Sequence, residues 1–565
     1  MVFGRIATAG LSILIMATLT PGQNHPQQHP AHAHNRFRTL GDILQYITTD
    51  WQTLSRSVSD CHTYKDIKVS DGRVLYLPAG VDAPPALAEA EKHCGIAVHN
   101  LPAKVSESDA AGIEPHGLLY LPNPYVVPGG QFNEMYGWDS YFIIRGLLRD
   151  GRIDAARGMV ENFFYEIDHY GGVLNANRTY YIGRSQPPFL AAMILAVYDA
   201  HKAAGRDDVA WLQRAYSYAL RDYQQWTREP HLAGNTGLSR YFDEGEGPVP
   251  EILGGPDTYF RGVAEYFFLH AHEPDSYFHV VDPKHLPPGA LPPFFELPEC
   301  NGTGNAASSP VKCKPGEGIA LSADFYKGDR SMRESGFDVS FRFGPYGAET
   351  HHYAPVCLNS LLYAAETNLA RVSEILGRQA DAADWKKRAA DRATLVTKYL
   401  WDPQRGLFFD YNFETGKRST YDYATTFYPL WAGFASKEQA SAVIANLQIF
   451  EQPGGIVMSR FESQAQWDYP YGWAPIHLLA IEGLRRYGDD ADADRVSLKF
   501  LSMILENFRR DHTLREKYDV VNRTAATHIQ AGYAQNVTGF GWTNAVFLEL
   551  LHQLPPEAVA QLKKD

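Results

Sequence analysis

Helical periodicity is the feature that most limits the folds open to this chain of 565 residues. Apolar residues recur at spacings of three and four residues, the pattern of helices with one buried face. The segments with this pattern are 141–148, 155–167, 189–204, 209–226, 356–376, 380–400, 440–447, 475–487, 493–508 and 545–554. Because no alternation of strands and helices is evident between them, the sequence predicts an all-α domain. In a toroid of paired helices, the long loops would gather at one end, where functional sites usually lie.

The composition is that of a globular protein with a sizeable core, since 45% of the residues are hydrophobic and 21% charged. Aromatic residues reach 13%, which is typical of a tyrosine-rich core or of a cleft lined by flat faces. The formal net charge is −13, and the chain has no run of basic residues. Nucleic acids and anionic membrane surfaces are therefore poor candidates as partners.

The first 22 residues have the pattern of a secretory signal peptide. Arg5 provides a positive start, residues 6–19 are apolar or small, and Pro21 and Gly22 interrupt the pattern. This segment is too short to cross a bilayer, and no later apolar run is long enough. We therefore expect a secreted or periplasmic protein.

Residues 23–41 form a segment rich in His and Pro, which we interpret as a linker, although such tracts can also bind a metal. Its histidines are His25, His29, His32 and His34. The folded domain would then cover residues 42–565. Inside it, residues at about 274–330 are irregular and contain too few apolar residues for a core. We interpret them as an insertion.

Five cysteines are few for an exported chain of this length. Cys300 and Cys313 flank a polar loop that a disulfide would close, and Cys61 and Cys94 form a second possible pair. Cys357 lies within an apolar helical pattern, which predicts a buried thiol.

Six loop motifs combine aromatic, glycine and polar residues. In PGGQFNEMYGWDSY, at residues 128–141, two glycines after a proline let the backbone approach a ligand closely. Flat faces beside carboxylates suit a sugar, which has apolar C–H faces and a rim of hydroxyl groups. Taken alone, the segment is more typical of a buried loop whose aromatic side chains belong to the core and whose acidic side chains are satisfied caps. The other motifs are at residues 175–187, 334–342, 466–475, 514–519 and 539–544.

Motifs of other enzyme classes are missing from the sequence. It contains no GxSxG, HExxH, phosphate-binding loop or dinucleotide fingerprint, and no paired CxxC. His351 and His352 are adjacent and would need other ligands to share a metal, so we interpret them as solvated loop residues. Glycoside hydrolysis needs a proton donor and a second carboxylate, but no single motif here proves such a pair, because carboxylates in loops usually cap helices or bind backbone.

In their order along the chain, the motifs resemble those of the α,α-trehalase family. PGGQFNEMYGWDSY and QWDYPYGWAP resemble the two signature stretches of that family, PGGRFxExYxWDxY and QWDxPxGWAP. NANRTYYIGRSQPP, ESGFD, EKYD and GFGWTN match further blocks, from about residue 60 to the C-terminus. The resemblance implies an (α/α)6 barrel and inverting hydrolysis of an α-glucosidic bond, without cofactor or metal. We expect a monomer whose partner is a small saccharide, with no nucleic acid and no membrane.

The resemblance also assigns roles to residues. The Asp of ESGFD, Asp338, would be the general acid, and the Glu of EKYD, Glu516, the general base. Asp338 would need a raised pKa to hold its proton, whereas Glu516 must stay ionised beside a water molecule. The residues implied to bind substrate are Gln131, Phe132, Tyr136, Trp138, Asp139, Asn177, Arg184, Gln186, Glu251, Gly336 and Trp467.

Three departures from the family pattern concern the leaving glucose. Gln131 and Val249 stand where the family has arginines, and residues 530–538 lack the family's glutamate. Because a charged hydrogen bond is worth about 1.5–3 kcal/mol, losing two would weaken trehalose handling greatly. Arg240 or Arg342 could instead replace them.

Trehalose is accordingly the default substrate. The second hypothesis is the same chemistry on glucose linked to another leaving group. A third is a sugar-binding protein on an inactive enzyme scaffold, against which the intact pair of Asp338 and Glu516 argues.

Overall fold

The computed structural model describes residues 39–68, 73–103, 105, 112–252, 256–271, 277–285, 290–301 and 311–563. The predicted signal peptide, residues 1–22, lies outside the described residues, as does the predicted linker as far as residue 38. The α-helices are α1 Leu40–Thr53, α2 Pro85–Cys94, α3 Gly137–Arg149, α4 Ile153–His169, α5 Leu190–Ala203, α6 Val209–Trp226, α7 Pro256–Leu269, α8 Ala323–Glu334, α9 Val356–Ile375, α10 Gln379–Leu400, α11 Tyr428–Ala432, α12 Lys437–Ala445, α13 Ala474–Arg486, α14 Asp490–Asp511, α15 Gly541–Gln553 and α16 Pro556–Leu562.

Six helices close into an inner ring, in the order α3, α5, α9, α11, α13 and α15, with α15 packing back against α3. Outer helices such as α4, α10 and α14 pack against neighbouring members of this ring. The interior is apolar, with side chains such as Phe142, Ile194, Leu361 and Leu479 almost completely buried. The prediction of an all-α (α/α)6 barrel is therefore confirmed.

Short strands occur in the loops between the helices. They are β1 Ser55–Arg56, β2 Val74–Leu77, β3 Ala97–Asn100, β4 Leu118–Leu119, β5 Tyr125–Val126, β6 Phe278–Val281, β7 Ala290–Phe295, β8 Gly318–Ser322, β9 Tyr353–Ala354, β10 Trp401–Asp402, β11 Leu407–Phe408, β12 Tyr411–Asn412, β13 Lys417–Arg418, β14 Glu451–Gln452, β15 Gly455–Ile456, β16 Tyr471–Trp473 and β17 Lys517–Asp519. β2 pairs in parallel with β3 and β4, and α2 connects β2 to β3. This small βαβ unit was not predicted. β16 pairs with β17 and joins the QWDYPYGWAP motif to the EKYD motif.

The region predicted as an insertion contains an antiparallel sheet in the order β6, β8, β7. The sheet shares an apolar cluster with α7, which includes Phe260, Phe278, Phe295, Ile319 and Leu321. Its apolar residues therefore pack on a neighbouring helix instead of forming a separate core. The boundaries at about 274–330 remain a prediction.

Both predicted cysteine pairs are bridged, Cys61 with Cys94 and Cys300 with Cys313. Cys357 is a buried free thiol, as its helical pattern predicts. Within the described ranges, no helix has both the length and the apolar character that a bilayer span requires.

Candidate active site

A cavity of about 270 Å³ lies at one end of the barrel, where the loops that precede α3, α13 and α15 meet. All six loop motifs contribute to its lining, although they are spread over about 400 residues of sequence. The predicted site residues in this lining are Gln131, Phe132, Tyr136, Trp138, Asp139, Gln186, Glu251, Gly336, Asp338, Trp467 and Glu516.

Asn177 and Arg184 are not in the lining. The Asn177 amide donates to the Leu119 carbonyl oxygen at 2.9 Å and accepts from the Met135 backbone N–H at 2.8 Å. The buried Arg184 guanidinium donates to the Glu251 carboxylate. Arg184 thus supports Glu251 in the cavity wall, whereas the partners of Asn177 lie outside the lining. Direct contact of either residue with a sugar remains a prediction.

Asp338 follows a tight turn at the end of α8. Gly336 has a φ of +77°, and a Cβ atom there would lie 2.9 Å from the Trp138 ring. The close contact requires glycine and brings the next residues into the cavity. The Asp338 side chain is 33% exposed and lies 3.7 Å from the Arg333 guanidinium. Burial raises the pKa of Asp338 to about 6, and the positive charge of Arg333 opposes this rise.

Glu516 is 1% exposed and is held by two neighbours. One carboxylate oxygen accepts from Lys517 Nζ at 3.0 Å, and the other accepts from the Tyr533 hydroxyl. Burial raises the pKa of Glu516 above its ordinary value, and the Lys517 charge and both hydrogen bonds offset only part of this rise. Lys517 Nζ also lies 3.9 Å from the centre of the Tyr533 ring. The three side chains therefore form one buried cluster around the predicted base.

Asp139 is a third carboxyl group at this site. Burial, followed by the charges of Glu516 and Asp338, raises the pKa of Asp139 well above its ordinary range. Because three carboxyl groups share a site of low dielectric, they cannot all be ionised at once. The arrangement therefore favours keeping a proton among these groups at moderately acidic pH.

Tryptophan rings build the apolar part of the wall. Trp467 and Trp473 stack with their ring centres 3.8 Å apart, and Trp138 lies 5.8 Å from Trp467. Trp542 donates its indole N–H to the Glu516 backbone carbonyl at 3.0 Å. This wall offers a flat, rigid surface to the apolar face of a sugar ring.

Lys68 lines the cavity but lies outside the recognised motifs. Its Nζ atom donates to Glu134 at 2.7 Å and to the Tyr136 hydroxyl at 2.6 Å. Burial by itself would raise the pKa of Glu134, but Lys68 and Arg178 hold that pKa below its usual value. No local pattern marks Lys68, because its partners are 66 and 68 residues away.

At the positions that depart from the family pattern, Gln131 and Gly532 line the cavity. The Nε2 atom of Gln131 is buried and has no hydrogen-bond partner among the described residues. Val249, in contrast, is completely buried in the apolar cluster around Phe260. The cavity wall therefore departs from the family pattern at Gln131 and at the block 530–538, which contributes Gln530, Gly532 and Tyr533 to it.

Arg240 and Arg342 do not replace the missing arginines. Arg240 donates to the carbonyl oxygens of Pro230 and His351, and Arg342 is held by a bidentate ion pair with Asp410. Neither residue is in the lining, so this expectation is wrong. The arginine in the lining is Arg333, which is bonded to Asp329 on the same helix.

Comparison with known proteins gives a consistent result. A family model described as Trehalase matches residues 26–259 and 319–555, leaving out part of the predicted insertion. A protein named "Cytosolic neutral trehalase" from Kluyveromyces lactis is 37% identical over 458 residues, which is 75% of this chain. "Probable trehalase" from Eremothecium gossypii is 38% identical over 457 residues, again 75% of this chain. The chain spans only 56% and 57% of the lengths of these two relatives.

A solved structure, "Neutral trehalase Nth1 from Saccharomyces cerevisiae", is similar in fold as well as in sequence. The TM-score is 0.74 and the identity 32%, with 92% of this chain and 95% of that chain covered. The similarity to this structure therefore extends over nearly the whole described chain, in addition to the ring of helices and the order of the loop motifs.

The expectation of a secreted or periplasmic protein is wrong. Relatives from Kluyveromyces lactis, Saccharomyces cerevisiae, Neurospora crassa and Beauveria bassiana are named cytosolic neutral trehalases. A short apolar run after one basic residue is weak evidence of export when no clear cleavage site follows it, as in residues 1–22.

Proposed function

Because the chain belongs to the trehalase family, we propose that it hydrolyses the α-glucosidic bond of α,α-trehalose with inversion, giving two molecules of glucose. The observation that carries this proposal is the presence of Asp338 and Glu516 in the lining of one cavity. The cavity also offers the aromatic faces that a pyranose ring requires. Trehalase activity further agrees with the names of the relatives, which are longer than this chain.

In the proposed reaction, Asp338 gives its proton to the glycosidic oxygen as the C–O bond to the anomeric carbon breaks. Glu516 accepts a proton from a water molecule whose oxygen bonds to the same carbon from the opposite face. The glucose whose anomeric carbon is attacked by water leaves as the β anomer. The other glucose keeps its own C–O bond and leaves as the α anomer. Two carboxyl groups about 6.5–9.5 Å apart leave space for this water.

The environments of the two carboxyl groups support these different roles. The raised pKa of Asp338, about 6, keeps part of the enzyme protonated at mildly acidic pH. Glu516 has a cation, Lys517, and a hydroxyl donor, Tyr533, in direct contact, and both stabilise the ionised carboxylate. Asp338 can therefore serve as the acid and Glu516 as the base.

We assign the glucose that is cleaved to the wall formed by Phe132, Tyr136, Trp138 and Trp467. The leaving glucose would lie beside Arg333 and Gln131. Arg333 supplies a planar cation to that side of the cavity, and Gln131 has a buried amide N–H group with no hydrogen-bond partner in the described part of the chain. Both can donate to sugar hydroxyl groups.

The test is turnover of trehalose by the purified full-length protein, followed by proton NMR in the first minutes. We expect equal amounts of α- and β-glucose before mutarotation. Asp338→Asn and Glu516→Gln should each lower kcat by at least about 100-fold while sugar binding persists. Near-normal turnover by either variant would refute the role of that residue. Binding of trehalose without turnover by the unmodified protein would favour the inactive sugar-binding scaffold.

A second candidate is hydrolysis of a different α-glucoside by the same residues. Gln131 favours it, since it lies in the cavity wall at a position where the family has arginine, and so does the block 530–538, which contributes to the same wall and lacks the family's glutamate. Rates with kojibiose, nigerose, maltose and glucosylglycerol should be compared with the rate on trehalose. A kcat/KM on trehalose that exceeds all others would exclude this candidate.

We further propose that residues 42–565 form one catalytic domain, with an insertion at about 274–330, and that the protein acts as a monomer. Gel filtration with light scattering tests the monomer, for which the expected mass is 63.2 kDa.

A further inference from the structure

Asp324, His351 and His352 form a cluster outside the catalytic cavity. His351 Nε2 lies 3.0 Å from Asp324 Oδ1, and His352 Nε2 lies 3.8 Å from the same oxygen. The two imidazole rings are 3.9 Å apart between their centres. His351 is 5% exposed, so the expectation of solvated loop histidines is wrong for this residue.

The cluster joins two parts of the chain. Asp324 is in the first turn of α8, and the histidines form a short 3-10 turn, Thr350–His352, just before β9. The Thr350 hydroxyl donates to the Gly347 carbonyl oxygen at 2.6 Å, and Arg240 donates to the His351 carbonyl oxygen at 3.0 Å. These bonds hold the backbone of the turn, so the two imidazoles do not depend on a free loop for their positions.

We propose that Asp324, His351 and His352 bind one divalent transition-metal ion of the Zn²⁺ type. Two imidazole nitrogens and one carboxylate oxygen are the ligand types that such ions accept in proteins. In a tetrahedral site with bonds of about 2.0–2.2 Å, ligand atoms lie roughly 3.3–3.5 Å from one another. The three ligand atoms all lie within 4.8 Å of one another, so small side-chain rotations bring them to this spacing.

The local charge suits a cation with an open coordination position. Asp324 is itself ionisable, and the Glu349 and Glu414 carboxylates are close enough to act electrostatically on His352. The opposing cation is Arg240, whose side chain is bonded to carbonyl oxygens. Because the side chains of Asp324 and His352 are 39% and 27% exposed, water can reach the ion and complete its coordination.

The site is separate from the proposed chemistry. Asp324 lies nine residues before Arg333 on α8, which corresponds to about 14 Å along the helix axis. A metal ion there would connect the first turn of α8 to the 3-10 turn at Thr350–His352. This turn follows Tyr346, a residue of the cavity lining. We therefore expect the ion to stabilise the folded protein without taking part in glycoside hydrolysis.

The experiment must separate this site from the histidine-rich segment near the N-terminus. We choose the full-length chain with His25, His29, His32 and His34 replaced by Gln as the background, without a histidine tag. Zn²⁺ is titrated by calorimetry, and Co²⁺ by its visible absorption, which identifies nitrogen and oxygen ligation. We expect one equivalent to bind with a Kd below about 10 μM, and to raise the melting temperature by a few degrees.

His352→Ala and Asp324→Asn should each weaken this binding at least 10-fold, and His351→Ala should do the same. His285→Ala is the matched control, because His285 also pairs with an aspartate, Asp282, but has no second histidine beside it. If the buried His351 variant loses its circular dichroism signal, the variants at the two more exposed positions decide the question. Absence of binding up to about 100 μM, or binding unchanged in those two variants, would overturn the proposal.

Discussion

At the residue scale, the pKa of Asp338 predicts how activity depends on pH. The proposed acid works only when protonated, and its protonated fraction falls as pH rises through about 6. We therefore expect kcat/KM to decline above pH 6, by up to tenfold per pH unit. Because the Arg333 charge lowers the pKa of Asp338, Arg333→Met should move this decline to higher pH. The measurement is a pH profile of kcat/KM for both proteins.

Arg333→Lys is the control for that prediction, since it keeps the positive charge but loses the planar guanidinium. We expect its pH profile to follow the unmodified protein while KM rises. Identical profiles for Arg333→Met and the unmodified protein would show that another group sets the decline.

Lys68 leads to a second prediction at this scale. Lys68→Met removes a buried partner of Glu134 and of the Tyr136 hydroxyl, and so leaves part of a buried charge uncompensated. We expect a loss of about 3–5 kcal/mol in the free energy of unfolding and a marked fall in kcat/KM. Lys92→Met is the matched control, because the Lys92–Glu89 pair is exposed and 4.0 Å apart. It should change stability by less than about 0.5 kcal/mol. Equal effects of the two variants, measured by denaturant unfolding, would contradict the importance of the Lys68 contacts.

The sequence could identify Asp338 and Glu516 because each lies in a short motif with a known role. It could not identify Lys68 or Tyr533. Both residues lie outside the recognised motifs and contact motif residues that are distant in sequence, so only folding brings them to the cavity. The presence of Val249 in place of a family arginine could be read in the sequence, but the burial of Val249 in a separate apolar cluster could not.

At the scale of secondary structure, every segment with clear apolar periodicity is a helix, and the bounds of α6 agree with the prediction. α8 was missed. Its buried face combines apolar residues such as Phe325 and Met332 with Asp329 and Glu334, whose carboxylates are bonded to Arg333 and His231. Buried carboxylates interrupt the hydrophobic pattern by which a helix is recognised. α7 was also missed. Its apolar face packs on the sheet of the predicted insertion.

The packing of α8 gives a third prediction. A Cβ atom at Gly328, in the middle of this helix, would lie 1.9 Å from the Ala348 carbonyl oxygen. Gly328→Ala should therefore displace α8 from the backbone at Ala348, lower stability by about 1–3 kcal/mol and reduce turnover. Gly262 in α7 has no atom within 4 Å of an added Cβ, and Gly262→Ala should be neutral or stabilising by up to about 1 kcal/mol. Thermal unfolding of both variants tests the contrast, and a Gly328→Ala protein as stable as the control would refute it.

At the scale of the whole molecule, the two disulfides predict a thiol count. Of the five cysteines, four are paired and Cys357 is free. Protein isolated under oxidising conditions and unfolded without reductant should therefore show one reactive thiol per chain, rising to five after reduction. Cys61→Ser should show two, since its partner Cys94 is released. Five thiols before reduction would show that neither bridge forms.

An all-α domain could be predicted because many amphipathic helices without an evident strand–helix alternation leave few ways to bury their apolar faces, whereas the (α/α)6 barrel followed only from the family resemblance. The closure of the ring through α3 and α15 depends on contacts between distant segments, and the sequence shows these only through the resemblance. Localisation was predicted wrongly because a short terminal pattern says little about the compartment.

The cavity wall begins at Lys68 and ends at Trp542, and so draws on nearly the full length of the chain. Such distant contacts are entropically costly and form late when a protein folds. Recovery of catalysis after dilution from denaturant should therefore lag behind the return of the helical circular dichroism signal. Enzymatic activity would then report completion of the entire tertiary structure, whereas the helical signal reports its earlier stages.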